Sequence, residues 1–393
     1  MIKKIFSELK LSKGLKLLLG ARSIMLIIQG FSGLFLPIFL FDILDRNINF
    51  VALFYICASL FVVLMVPIGA KFLGSFGFRN SLRISVLIGI SIYVLLYFAN
   101  EDNFLVLLPI VSFMMAMNSI FYWVPYHVEF SKLTDDSSRG SQLSLFRIIG
   151  SVLSAIVPLT AGLLIAVYGF KFIFIVVIVL YVISSIFYIK LPRIDEKFEW
   201  SYFQTFRECF GKKNRRESMA FMFEGVEGIV GSAIWPIFIY DLLRGNYFQV
   251  GAVSALTVMV TVFLNFSLGK YMDKGKGNKG KILNFGAIMY SMGWVVKIFV
   301  LTAFQIFVVG VYHMIVGIFF RSSFNVMTYD LFSRSEHYVD EYTVLREIAI
   351  NTGRILALIF IIITSFYFSL QWVFLIAAMA VISMNSFRKE LKV

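Results

Sequence analysis

Two carboxylates three residues apart, Glu224 and Glu227, interrupt the otherwise apolar run from Ser218 to Leu243. That spacing puts both on one helical face. At about 1.5 Å per residue from Ser218, Glu224 lies roughly 9 Å and Glu227 roughly 13 Å along such a helix, against about 15 Å for half a bilayer's hydrocarbon core. An ionised side chain at the bilayer centre costs about 2.5–3.5 kcal/mol on insertion scales, so it needs a partner or a water-filled cavity. Two neighbouring carboxylates in a low dielectric resist double ionisation, and one then holds its proton more tightly. That is the chemistry of a proton-coupling or substrate site. The competing reading is a static ion pair, with Arg354 as partner, or for Glu224 a charge at the mouth of a cavity.

Other polar groups fall inside apolar runs. His313 sits near the middle of one, and its unperturbed pKa near 6.5 suits proton exchange; a lone histidine hydrogen-bonded inside a helical bundle is the alternative. Arg321, on the same run, reads either as an anion ligand or as a side chain snorkelling to headgroups. Lys297 and Arg22 read as snorkelling cations, Arg22 alternatively pairing with Glu224. No metal site or cofactor is expected: Cys57 and Cys209 have no ligand partners at suitable spacing, and His127, His313 and His337 are mutually isolated. No Gly-x(4)-Gly-Lys-(Ser/Thr) loop points to nucleotide-driven work. His127 with Glu129 is the nearest approach to an acid/base pair, and its spacing is unspecific, so the chain is not read as an enzyme.

The elements that must position these groups are membrane helices. Hydrophobic residues make up 59% of the chain, phenylalanine alone numbers 44, and charged residues are 15%, against about a quarter in soluble domains. The apolar runs approach the roughly 20 residues that cross a bilayer as a helix. About twelve are read, at 18–44, 49–73, 82–99, 103–126, 144–169, 171–191, 218–243, 248–268, 281–302, 303–328, 347–368 and 370–387. They lack the alternation of a membrane β-barrel. Loops assigned to one side hold nearly all of the Lys and Arg outside the spans, whereas the opposite loops hold only Arg46, Lys171 and Arg244. The positive-inside rule makes both termini cytoplasmic and the protein integral to the cytoplasmic (inner) membrane. The net charge of +13 follows from that bias; dispersed basic residues without a binding motif argue against nucleic acid.

An eleven-residue phrase occurs twice. Pro37-Ile38-Phe39-Leu40-Phe41-Asp42-Ile43-Leu44-Asp45-Arg46-Asn47 returns 199 positions later as Pro236-Ile237-Phe238-Ile239-Tyr240-Asp241-Leu242-Leu243-Arg244-Gly245-Asn246. Gly69 and Gly77 recur as Gly269 and Gly277, and Arg147 recurs as Arg346. A parallel duplication of six spans explains these matches. It gives an N-terminal six-helix half (1–190), a cytoplasmic linker (191–217) and a C-terminal six-helix half (218–393). At the same offset Glu224 and Glu227 correspond to Met25 and Ile28, so the second half alone carries these acids.

With two such halves and a charged middle loop, nearly the whole chain resembles the major facilitator superfamily (MFS). The family's Gly-x-x-x-Asp-(Arg/Lys)-x-Gly-(Arg/Lys)-(Arg/Lys) turn is echoed in Gly269-Lys270-Tyr271-Met272-Asp273-Lys274-Gly275-Lys276-Gly277-Asn278-Lys279; the first copy has Leu73 where the Asp would be. The resemblance implies that spans 1, 4, 7 and 10 line a central cavity, and that Gly269 and Asp273 latch the cytoplasmic side. Asp42 and Asp241 then form a symmetric pair at the outer mouth, and Arg147, Arg346 and Glu347 are gate elements at the inner one, with Glu129 and Asp330 as candidate acids. A Gly150-Pro158-Gly162 span 5 is similar to that of exporters, whereas span 4 lacks the arginine tied to proton coupling in some of them.

The expected protein is an all-α polytopic transporter working by alternating access. It would move a small-molecule substrate with protons, through a coupling and substrate cavity of Glu224, Glu227, His313 and Arg354. Export of an amphipathic compound is preferred over uptake of a polar metabolite, and a membrane-embedded enzyme or a non-transporting scaffold ranks below both.

Overall fold

In a computed structural model, residues 11–133, 139–192, 200–272, 279–334 and 339–385 are described. Among them every regular element is helical. In chain order these are α1 (Lys13–Ile43), α2 (Ile48–Phe76), α3 (Phe78–Phe98), α4 (Phe104–Leu133), α5 (Arg139–Ile189), α6 (Tyr202–Phe210) and α7 (Arg215–Ile229). A π-helical turn at Val230–Ile234 leads into α8 (Trp235–Leu242), followed by α9 (Tyr247–Met272), α10 (Lys279–Lys297), α11 (Ala303–Arg334) and α12 (Val339–Ser365). A 3₁₀ turn at Leu370–Val373 then enters α13 (Phe374–Asn385).

Nine described helical segments are long and apolar enough to cross a membrane, with α7, the π turn and α8 counting as one. Their lipid-scale length follows from uninterrupted Leu, Ile, Val and Phe, and each backbone group is satisfied within its own helix. The long α5 is broken at Gly169, whose φ of 77° and ψ of 175° are not helical; glycine reaches that region without steric cost. The break falls where the sequence places the end of one span and the start of the next.

The duplicated phrase folds into the same turn twice. Arg46 N–H donates to the Phe41 carbonyl and Asn47 N–H to Leu44; at the matching positions Gly245 donates to Tyr240 and Asn246 to Leu243. The Asn side chains then cap the next helix, Asn47 accepting from Asn49 N–H and Asn246 from Gln249 N–H. In each turn two residues have positive φ: Asp45 and Arg46 in the first, Arg244 and Gly245 in the second. We call the end of the bundle that carries these turns the turn face, and the end that carries α6 the linker face.

Helix α1 packs on α5, α5 on α9, α2 on α12, and α7 on α12 and α13. Close backbone approach fixes two of these crossings. A Cβ on Gly162 would meet the Tyr247 carbonyl at 2.6 Å, and one on Gly251 would meet the Pro158 carbonyl. In the α7–α12 crossing, a Cβ on Gly225 would run into the Ile350 carbonyl and one on Gly353 into the Met222 carbonyl. Small residues serve membrane helices in this way because close packing, more than apolar transfer, joins them.

The short amphipathic α6 begins with a capping box in which Ser201 and Gln204 satisfy each other's backbone donors. It buries Thr205 and Cys209 against α7 and α12 and leaves Phe203 83% exposed. Ser218 Oγ donates to the Cys209 carbonyl, and the thiol lies 3.8 Å from the Leu345 carbonyl. Burial pushes the Cys209 thiol up to about 11. The thiolate being the nucleophile, Cys209 is expected to resist maleimide at pH 7 in the folded protein and to react within minutes after denaturation in SDS. Fast labelling of the native protein, followed by mass spectrometry, would mean that α6 is undocked.

Candidate functional site

Glu227 lies in the last turn of α7, shortly before the π turn, and is turned into the bundle, its side chain only 5% exposed. Arg321 of α11 reaches both carboxylate oxygens through one nitrogen, at 3.0 and 2.9 Å, and Tyr290 of α10 donates to the same carboxylate at 2.7 Å. Arg321 also donates to the Tyr290 hydroxyl. The carboxylate is thus held by a charge-assisted bond and a phenol. The Arg321 side chain as a whole is 59% exposed, although its guanidinium is bonded to the buried carboxylate and to Tyr290. The network therefore has a buried acidic pole and a partly accessible basic pole.

Behind it stands an aromatic wall. His313 stacks on Tyr290 with ring centroids 4.3 Å apart and meets Trp294 edge-on at 4.7 Å. Its Nδ1 is buried without a hydrogen-bond partner among the described residues. His313 is packed between α11 and α10. Lys297 does not snorkel out, as the sequence suggests, but is 3% exposed, its ammonium 3.6 Å from the Trp294 ring centre and 4.4 Å from that of Trp235. Two indole faces substitute for water around the cation.

The acids also take partners other than those expected. Glu227 pairs with Arg321 and not with Arg354; Glu224 pairs with Arg346 and not with Arg22. The Glu224–Arg346 bond ties α7 to α12 beside the Gly225–Gly353 crossing. Arg354 donates to Asn351, whose amide in turn donates to the Glu347 backbone and carboxylate. Glu224, Gly228 and Ser232, four residues apart, form one partly accessible stripe; Arg22, Gln29 and Gly33 form another on α1, and among the described residues no atom beyond the local helix backbone comes within 4 Å of a Cβ built on Gly33 or Gly228. Glu227 lies beside the first stripe, turned inward.

At the base of the α1 stripe Arg22 is aimed by α4. Its Nη1 donates to the Tyr122 hydroxyl at 2.9 Å and to Gln29 Oε1 at 3.3 Å, and its guanidinium lies 5.1 and 5.0 Å from the ring centres of Trp123 and Tyr126.

The turn face is closed by a latch. Asp42 of α1 accepts from the hydroxyls of Tyr240 (2.8 Å) and Tyr247 (2.6 Å), on α8 and α9. Arg46 lies 3.8 Å from both Asp42 and Asp241 and above the Tyr240 ring. The two aspartates are bridged through Arg46. This arginine holds a positive φ of 56° where the second copy has Gly245, a local strain at a bridging residue. Its own contacts are long and its side chain is 51% exposed, and such pairs contribute about 0–1 kcal/mol. Bonds to a charged group contribute about 1.5–3 kcal/mol each. Asp42→Ala is therefore expected to speed amide exchange across 240–247 more than Arg46→Ala does, by roughly tenfold or more. Exchange mass spectrometry reads the order, and the reverse order would make Arg46 the main fastener.

Gly269 lies in α9, and Asp273 is outside the described residues. Arg147 and Asp330 lie in α5 and α11, and their side chains, like that of His127, are outside the described residues. Glu129 is fully buried, and neither of its oxygens has a hydrogen-bond partner among the described residues. Sequence reading missed Tyr290, Tyr240, Tyr247 and Tyr122, because one tyrosine among eighteen carries no mark of its partner. Arg46 did carry a signal, as a charge inside the duplicated phrase where the second copy has Gly245.

A helical bundle of membrane length, with paired charges in its interior and a latch at one face, fits a membrane transporter. The chain belongs to the Major Facilitator Superfamily, whose family model matches residues 18–338. It is 23% identical over 370 residues to the uncharacterized protein YqgE of Bacillus subtilis (strain 168), covering 91% of this chain and 84% of that protein. In fold it is similar to the nucleoside transporter NupG, with a TM-score of 0.65 and 14% identity over 97% of this chain and 100% of that one. The POT family transporter PepTSo gives 0.67 and 12% identity, over 96% and 97% of the two chains. A bacterial homologue of the iron transporter ferroportin, in an inward-facing state, gives 0.64 and 13%, over 95% and 97%.

Proposed function

We propose that this protein is a secondary active transporter that couples movement of a small organic solute to protons by alternating access. Two six-helix halves (1–190 and 218–393), joined by the cytoplasmic linker 191–217, rock about a mid-depth site in the cytoplasmic membrane, with both termini cytoplasmic. The observation that carries this reading is the Glu227–Arg321–Tyr290 network. A buried carboxylate balanced by a partly accessible arginine can trade that partner for a proton when an incoming solute engages the arginine. Glu224 and Arg346 hold α7 to α12 around it, and Asp42, Arg46 and Asp241 gate the outer mouth. Arg147, Glu347, Gly269 and Asp273 are the proposed inner gate, and Arg354 a cavity cation. His313 supports the site through Tyr290. Export of an amphipathic compound is the preferred direction, from the apolar composition and the Gly150-Pro158-Gly162 span.

The two duplicated turns give a test that needs no substrate. Spin labels on Asp45→Cys and Arg244→Cys, with Cys57 and Cys209 replaced by alanine, are expected to show a short and a long distance in nanodiscs. Protonation should shift their ratio between pH 5 and pH 8. One short distance at every pH would remove alternating access and favour a static scaffold.

A further inference from the structure

Arg22 carries a feature that the coupling network does not use. Only its Nη1 is engaged, by Tyr122 and Gln29. Its Nε and Nη2 have no hydrogen-bond partner among the described residues and are not buried. No carboxylate of the described residues lies within ion-pairing distance of it. It lies four residues into the apolar run read at 18–44, roughly 6 Å from the start of that run. An arginine that merely snorkelled would extend to the headgroups. This one is drawn sideways onto α4, braced by a phenol and two aromatic faces, with the Nε–Nη2 edge of its fork left open. That edge is the geometry that takes two oxygens of a carboxylate or phosphate.

The surroundings fit an occupant of one charge type. On α7 the acids Glu224 and Glu227 are matched by Arg346 and Arg321, and the buried Glu129 of α4 makes no ion pair with Arg22. Arg22, like Arg354, has no carboxylate partner among the described residues, and it stands beside an accessible stripe. From Arg22 that stripe runs past Gln29, which can bond a polar substituent, to the open space at Gly33. Trp123 and Tyr126 offer apolar surface next to the cation.

We infer that Arg22 is the anion-recognition residue of the substrate site, and that the substrate is an organic anion, a carboxylate or phosphate ester with a flat apolar body. The inference rests on the transporter reading and deepens it. The oxyanion docks on the open edge of the Arg22 fork, and the apolar body lies along the α1 stripe. A headgroup of an anionic lipid has the same chemistry, and the experiment separates the two sources.

The test uses the full chain in nanodiscs of phosphatidylcholine, titrated calorimetrically with 2-naphthoate and with its uncharged analogue 2-naphthamide. The naphthoate is expected to bind at least about tenfold more tightly than the amide, and Arg22→Gln to remove that preference, because one charge-assisted bond is worth about a tenfold change in affinity. Arg22→Lys, a point charge without the fork, is expected to fall between. Should Arg22→Gln not fold, Tyr122→Phe loses the bond that aims the guanidinium and is expected to weaken naphthoate several-fold while leaving the amide unchanged. Equal binding of the two probes, or naphthoate binding unaltered in the variants, overturns the proposal. So does loss of naphthoate binding when phosphatidylglycerol replaces part of the phosphatidylcholine, which would assign the site to lipid. Binding is read at equilibrium and the Asp45/Arg244 distances separately, so failure here leaves the alternating-access result standing, and the converse holds.

Discussion

Glu227→Gln is expected to abolish uphill, proton-driven solute accumulation in proteoliposomes while solute exchange continues near the wild-type rate. The amide keeps the shape of the carboxylate and an oxygen that accepts from Tyr290 and Arg321, so the packing of α7 against α10 and α11 survives. What it loses is the ability to take up and release a proton. Exchange needs only that the loaded carrier reorients, whereas uphill transport needs protonation to alter with the state of the site. Counterflow and gradient-driven flux measured on one preparation separate the two. Unaltered pH dependence in the variant would remove Glu227 from the coupling. Glu224→Gln is the control: it weakens the tie to Arg346 between α7 and α12 and should slow exchange as well as accumulation.

Gly353→Leu is expected to leave no stable folded protein. A first side-chain carbon at that position already overlaps the Met222 carbonyl, which belongs to the backbone of α7 and cannot turn aside as a flexible side chain does. Gly225 faces Ile350 in the same crossing, so the two helices would have to separate along a seam that also holds the Glu224–Arg346 pair. Overpacking of a tight core costs about 1–3 kcal/mol for a few added methylenes, and a whole isobutyl group against backbone exceeds that. Gly353→Ala should survive with a lower melting temperature. Size-exclusion fluorescence of detergent-solubilised protein reads both. A monodisperse Gly353→Leu with an unchanged melting temperature would show that the crossing is looser than its geometry. Gly33→Ala, where the Cβ meets open space, should be silent in the same assay.

Much of this was legible along the chain, because membrane helices announce themselves locally. Apolar runs of bilayer length need no partner to be recognised, and each satisfies its own backbone. The duplicated phrase could be matched letter by letter, and its two copies do fold into the same hydrogen-bonded turn. The acids Glu224 and Glu227 stood out because burying charge is costly wherever it occurs. Their roles did not. Three residues apart on one helical face, they differ by about 60° in direction at 100° per residue, and that angle turns one towards α12 and the other towards α10 and α11. Lys297 reads as snorkelling because the resemblance puts its span at the lipid face; of the two indoles that hold it, Trp294 is on its own helix α10 and Trp235 comes from α8.

The helical membrane class, the positions of most spans, the repeat and the residues whose burial requires explanation were all written in the chain. Those properties depend on composition and spacing within single segments. The pairings came only with the folded bundle: Glu227 with Arg321, Glu224 with Arg346, Asp42 with Tyr240 and Tyr247, Arg22 with Tyr122. An ion pair or hydrogen bond forms only when two groups from distant segments arrive within about 3 Å with the right orientation. The rotation and crossing of whole helices set that arrival, and the close glycine contacts that fix those crossings involve carbonyl groups every residue possesses, so nothing in the chain marks them in advance.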